Sequence, residues 1–283
     1  MDRITSAYVI PYVRDDKGAV HVLAAQKQVI SYEAVQGYLQ GRMSSVFTKA
    51  VVQTIRQCLQ QNQLLLNSDG TMTIKGVGKR FNGMLLSGCG KPTFPGGRCN
   101  KREPAKDAAI REFEEEFNCK GRTKDLGVLE EPLVIDSAYY YPLHVNDVSL
   151  ILKLADSVNV WIGGFNEKLK DNLNALKGGN FPELRRVDLI SVDTASAFFG
   201  NIDLPYIGSQ IRLFSRFFCE NLSVGEDAVQ TNLAGCLRSH AEHHESIDWH
   251  QRALAAFHTR LRPPLSESIV PVAAQISEEA SST

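Results

Sequence analysis

The chain reads as an α/β protein, on three observations. Residues 5–27 alternate apolar and polar well enough to give two strands around a turn. Residues 104–117 lack Gly and Pro after Pro104 and set Ile110, Phe113 and Phe117 on one side of a helix. Short strand-like runs then follow, broken by Pro132 and Pro142. With 283 residues, 43% of them hydrophobic, the length suits one sizeable domain or one domain with a large extension. A net charge of -1 argues against a non-specific nucleic-acid binder, yet leaves small anionic substrates open, because local charge makes a site. The six cysteines lack paired CxxC spacing and the density of a disulfide scaffold, so a reducing, cytoplasmic compartment is expected. No signal peptide is read at the N-terminus, no stretch is read as transmembrane, and no membrane partner is expected.

Taken in order, residues 7–13 and 19–25 form the arms of a hairpin turning at Asp15, Asp16, Lys17 and Gly18. Residues 31–80 are far longer than an ordinary connection. Phe47, Val51, Ile55 and Cys58 trace a helical stripe there, so the segment is expected to be a helical insertion packed on the core, with a lid or partner-binding role as the alternative. A strand over 81–87 leads through Gly88, Gly90 and Pro92 into a Gly-rich approach made basic by Lys75, Lys79 and Arg80, which suits phosphate as well as solvent. After residue 119, residues 126–129, 133–135 and 149–154 read as strands. Alternation aims Tyr139 and Tyr141 one way and Tyr140 the other. Residues 158–165 run into a helical or loop segment through Lys177, 187–192 read as a strand, and 194–199 as a helix. Residues 206–265 are expected to be a C-terminal helical extension whose last helix stops at Pro263 and Pro264, and 266–283 a disordered tail. His240, His243 and His244 share a helix face without a fourth ligand, which favours an exposed cluster over a zinc site.

The chemistry concentrates in residues 97–119, GRCNKREPAKDAAIREFEEEFNC. At 100° per residue, Glu112, Glu115 and Glu116 share one side of the predicted helix, opposite the apolar stripe. Such carboxylates repel one another unless something positive sits among them, and a hard divalent cation prefers oxygen ligands of this kind. Arg111 is placed to orient a carboxylate through a forked hydrogen bond. Three glutamates alone would be a solvated acidic face. The whole spacing, from Gly97 through Glu103 to Arg111 and the glutamates, arises by chance in a chain this long on the order of once in a million.

This stretch resembles the Nudix box, the signature of hydrolases acting on nucleoside diphosphates linked to another moiety, and Phe94, Pro95, Gly96 and Gly97 resemble its usual lead-in. One residue departs from the pattern: the glycine after the paired glutamates is Asn118, the residue next best able to end a helix left-handed. The resemblance covers residues 5–30 and 80–200 and implies an α/β/α sandwich with a mixed sheet, forming a hydrolase domain over residues 1–205. It also implies that Glu112, Glu115 and Glu116, with the carbonyl of Gly96, bind Mg²⁺ or Mn²⁺, and that Glu103 and Arg111 shape the box. The general base would be Glu116 or a later carboxylate such as Glu183, and Tyr139 or Tyr141 would stack on a nucleobase. Nucleotide sugars, dinucleotides, capped RNA and inositol pyrophosphates all remain open as substrates. A catalytically inactive Nudix-like module that binds nucleotides or a partner is the alternative; such modules usually lose box glutamates, and this chain keeps them.

Overall fold

Strands β1 (Ser6–Arg14) and β2 (Val20–Lys27) form the predicted hairpin. Its turn is closed by the Asp15 carboxylate, which accepts from the amides of Lys17 and Ala19 at 3.0 and 2.8 Å, and Gly18 supplies the positive φ of 81°. The structure is a computed structural model that describes residues 5–28, 64–66, 72–74, 80–81, 90–169, 181–200 and 248–261. The two strands pair only over residues 12–14 of β1 and then part. The segment carrying β6 (Pro92–Thr93) and β7 (Gly96–Arg98) wedges between them, β6 pairing with β2 and β7 with β1. The Gly-rich lead-in is thereby fixed in the middle of the sheet.

On its other edge β1 runs parallel to β10 (Ala138–Val145), from Ser6 opposite Ala138 to Tyr12 opposite His144. Antiparallel β8 (Gly127–Leu129) and β9 (Leu133–Ile135) add to β10, and β11 (Leu184–Ser191) adds to β2, completing an eight-stranded mixed sheet. Alternation along the strands gives two apolar faces. Ala7, Val9, Leu23, Leu143 and Val145 pack with helices α1 (Ala105–Glu116) and α3 (Val148–Leu169), while α2 (Thr123–Leu126) adds Leu126 to the same face. Ile10, Tyr12, Val22 and Tyr140 pack with α4 (Val192–Phe199) and α5 (Trp249–Leu261). The mixed sheet therefore carries helices on both faces, and α5, from the predicted C-terminal extension, belongs to its core.

Three expectations are corrected. Residues 149–154 are helix, not strand: Asp147 caps α3 by accepting from the Ser149 amide at 2.5 Å, and the helix runs 22 residues, straight through Gly163 and Gly164. An added Cβ would meet nothing within 4 Å at either glycine, so these residues do not mark a close approach. Within α3, Val148–Glu167 is long and apolar enough to cross a membrane by length and composition, at a mean hydropathy of 1.3, against the expectation that no stretch qualified. Here its buried face, Ile151, Leu154, Val158 and Ile162, lies on the sheet. The segment read as a helical insertion also contains strands: β3 (Leu64–Leu66), β4 (Met72–Ile74) and β5 (Arg80–Phe81) form a small antiparallel sheet. The stripe from Phe47 to Cys58, the rest of 81–87, the histidines at 240–244 and the tail fall outside the described residues.

Candidate active site

Helix α1 begins just after Pro104, whose φ of -60° suits an extended entry, and runs to Glu116, with Phe117 as its C-cap. Beyond it Asn118 is left-handed, at φ 48°. The amide of Cys119 bonds the Glu114 carbonyl at 3.0 Å and that of Asn118 the Glu115 carbonyl at 3.3 Å, which is the Schellman ending expected of a glycine there. Glu114 then ties down the following turn, accepting from the Gly121 amide at 2.7 Å and the Thr123 hydroxyl at 2.7 Å. Ala108, Ala109, Phe113 and Phe117 bury the apolar face. Both ends of the helix are set, so the carboxylates near its C-terminus have fixed origins.

Arg111 is the hub of the outer carboxylates. Its guanidinium grips Glu103 with two hydrogen bonds, Nε to Oε1 at 2.9 Å and Nη2 to Oε2 at 3.1 Å. Its Nη1 reaches Glu112 at 2.8 Å and Glu115 at 3.2 Å. The Asn100 amide adds a 2.8 Å bond to Glu103. Hydrogen bonding from Arg111, with that amide, lowers the Glu103 carboxyl to about 2. Glu112 lies against the Gly-rich lead-in: a Cβ on Gly97 would stand 2.7 Å from its carboxyl carbon, so only glycine leaves the carboxylate this close to the chain. Burial raises the pKa of Glu112, and Arg111 works against that rise. Glu115, at 62% exposure, faces solvent.

Glu116 departs from the solvated face that its helical angle suggests: it is 4% exposed. Its Oε2 accepts from the Gly96 amide at 2.9 Å. Its Oε1 is buried without a hydrogen-bond partner and faces Lys27 Nζ at 3.6 Å. The same ammonium stands 4.0 Å from Glu183 Oε2, while the Glu183 carbonyl takes the Gln28 amide at 2.8 Å. Glu183 and Glu116 thus meet across one lysine. Burial pushes the Glu116 carboxyl up to about 7, against the pull of Lys27, and Glu183 adds to the rise. For Lys27, burial disfavours the charge, but Glu116 and Glu183 outweigh it and hold the pKa above its usual value.

The structure therefore brings together Gly96, Glu103, Arg111, Glu112, Glu115, Glu116 and Glu183. Tyr139 and Tyr141 do share a side of β10, with ring centroids 6.0 Å apart, and Tyr140 points the other way into the second core. They line a separate pocket of about 350 Å³ with Pro104, Lys106 and Glu131, at the start of α1 instead of its carboxylate end. Arg80 lies on β5, and its side chain is outside the described set. Lys27 is the residue that spacing missed, although a signal was present: Leu23 and Ala25 face the core, so period-2 alternation turns Lys27 inward with them.

Among the described residues, no group of three or more His, Cys, Asp or Glu side chains is gathered to hold an ion. The donors nonetheless fit a hard cation in kind: they are carboxylate oxygens, and one, on Glu116, is buried with no hydrogen bond. No family model and no curated protein sequence matches the chain. Solved structures similar to it include a mutT/nudix family protein from Listeria innocua, at 15% identity and a TM-score of 0.32, covering 77% of this chain and 96% of that one. Another is an Ap4A hydrolase from C. elegans in a binary complex, at 13% identity and a TM-score of 0.27, covering 76% of this chain and 97% of that one. Likeness this distant decides nothing about chemistry; the chain's own residues must do so.

Proposed function

We propose that the chain is a metal-dependent hydrolase of the Nudix type, cleaving a diphosphate linkage in a nucleoside diphosphate joined to another group. The observation that carries this reading is Glu116, which the box spacing singles out and which sits buried on the Gly96 amide with one oxygen lacking a hydrogen bond. Glu112, Glu115 and Glu116, with the Gly96 carbonyl, would hold Mg²⁺ or Mn²⁺. The ion, when bound, supplies neutralisation of phosphate oxygens and a lowered pKa for an attacking water. Arg111 holds Glu103, Glu112 and Glu115 in one arrangement, so the outer carboxylates need no reordering as substrate arrives. Glu116 or Glu183 takes the proton from the water. Tyr139 and Tyr141, which line one pocket, would stack on a nucleobase, and Arg80 would supply charge to phosphate.

The test is a screen of nucleotide sugars, dinucleotides, capped RNA and inositol pyrophosphates with Mg²⁺ or Mn²⁺, read by phosphate release and mass spectrometry. On the compound found, Glu116→Gln should lower turnover by about a hundredfold or more while the fold survives. Retained turnover in that variant would remove Glu116 from the mechanism. One observation favours the second reading, a nucleotide-binding module without catalysis: Lys27 already supplies a cation to Glu116 and Glu183. A protein that binds nucleotides in the screen and cleaves none would establish it.

A further inference from the structure

Lys27 has no part in the reaction just proposed, yet it occupies the middle of the site. Its side chain, 17% exposed, reaches from the end of β2 to the last turn of α1 and gathers two carboxylates from separate elements, Glu116 at 3.6 Å and Glu183 at 4.0 Å. The contact with Glu116 is an ion pair without a hydrogen bond, since Oε1 has no partner of that kind. A buried carboxylate oxygen left so is costly, and here nearby charge offsets the cost from beyond bonding distance. Oxygen ligands approach Mg²⁺ to about 2.1 Å, so a metal would bind the same oxygen far more closely.

We propose that Lys27 is a built-in counter-cation, holding Glu116 and Glu183 in the metal-free protein where a divalent cation would otherwise sit, and withdrawing as that cation binds. This inference rests on the metal site of the hydrolase reading. Lysine suits the task because its charge is compact and its stem is flexible, so the ammonium can leave by rotation, whereas a guanidinium would lock onto the carboxylates in a forked pair. Two consequences follow from competition for the same carboxylates. Glu112, Glu116 and Glu183 are spared part of their mutual repulsion, and the affinity for metal is lowered by the attraction that Lys27 must give up.

The experiment is a calorimetric Mn²⁺ titration, without substrate and at one pH, of the parent and of Lys27→Met, which keeps length and removes charge. The variant is expected to bind about tenfold or more tightly and to show a larger metal-induced rise in melting temperature. Equal or weaker affinity would overturn the role of Lys27 and leave the metal site standing. Absence of binding in both proteins would overturn the metal site and the inference together. Should the Met variant fail to fold, the parent answers alone: with ¹³Cε-labelled lysine, the Lys27 resonance, assigned through Lys27→Arg, should shift as Mg²⁺ saturates the site. A resonance that stays in place at saturation, or an absence of any saturable binding, would refute the proposal.

Discussion

Asn118 holds a left-handed φ of 48° and donates its amide to close the end of the helix that carries the carboxylates. Asn118→Gly should therefore change stability by less than about 1 kcal/mol, whereas Asn118→Val should cost more, because a β-branched residue is strained at positive φ. Urea melts of the two variants decide it, and equal midpoints would show that the backbone is not held left-handed. This residue was legible in the sequence because helix endings depend on local chemistry. So were Glu103, Arg111, Glu112, Glu115 and Glu116, which lie within one turn-and-helix unit where spacing fixes direction. The burial of Glu116 was not legible, since it depends on how β7 wedges between β1 and β2 and offers the Gly96 amide. Lys27 belongs to a different strand, and only the alternation of Leu23 and Ala25 hinted at it.

Among the elements, α3 shows where sequence pattern misleads. Residues 149–154 form an apolar run short enough for a strand. Asp147 decides the matter as a capping residue, and the sheet beneath supplies the burial that stabilises a helix containing two glycines. The helix also closes the sheet. Asn159 donates to the Val187 carbonyl at 2.8 Å and accepts from the Val187 amide at 2.9 Å, so one side chain satisfies both backbone groups of β11 at that position. Among the described residues strand β11 ends the strand order, and a sheet edge left with unpaired groups invites pairing with another chain. Asn159→Leu should lower stability by about 2 kcal/mol, from two lost hydrogen bonds and an unsatisfied pair at the edge. Denaturant melts measure the first effect, and size-exclusion chromatography at rising concentration should reveal self-association. A variant as stable and as monodisperse as the parent would show that Asn159 does not protect this edge.

At the scale of the molecule, the second face of the sheet is closed by α5, which brings His250 in among Tyr8, Tyr140 and Phe94, at centroid separations of 4.9, 5.7 and 5.9 Å. The imidazole is bonded at both nitrogens. Thr93 gives its one hydroxyl proton to the Phe94 carbonyl at 2.8 Å, so Nε2 donates to the Thr93 oxygen at 3.0 Å and Nδ1 accepts from Tyr140 at 3.3 Å. A ring held this way is neutral. Burial, with Lys27 and Lys91 nearby, lowers its pKa from 6.5 to about 3. In the unfolded chain the same histidine takes up a proton near 6.5, so between these values the unfolded state binds more protons and stability falls as pH drops. Carboxylates such as Glu103 contribute in the same direction only nearer their own range, while Glu116, raised to about 7 by burial, works the opposite way across the window from about pH 6.5 down to about 5, so the contribution of His250 is the difference in slope between a variant and the parent. His250→Phe lacks the hydrogen bonds and should be less stable at every pH, but the loss of stability on acidification across that window should be smaller than in the parent. Urea unfolding at several pH values measures both slopes. Identical slopes would mean that His250 is free to take a proton in the folded protein, and that α5 does not seal it against the sheet.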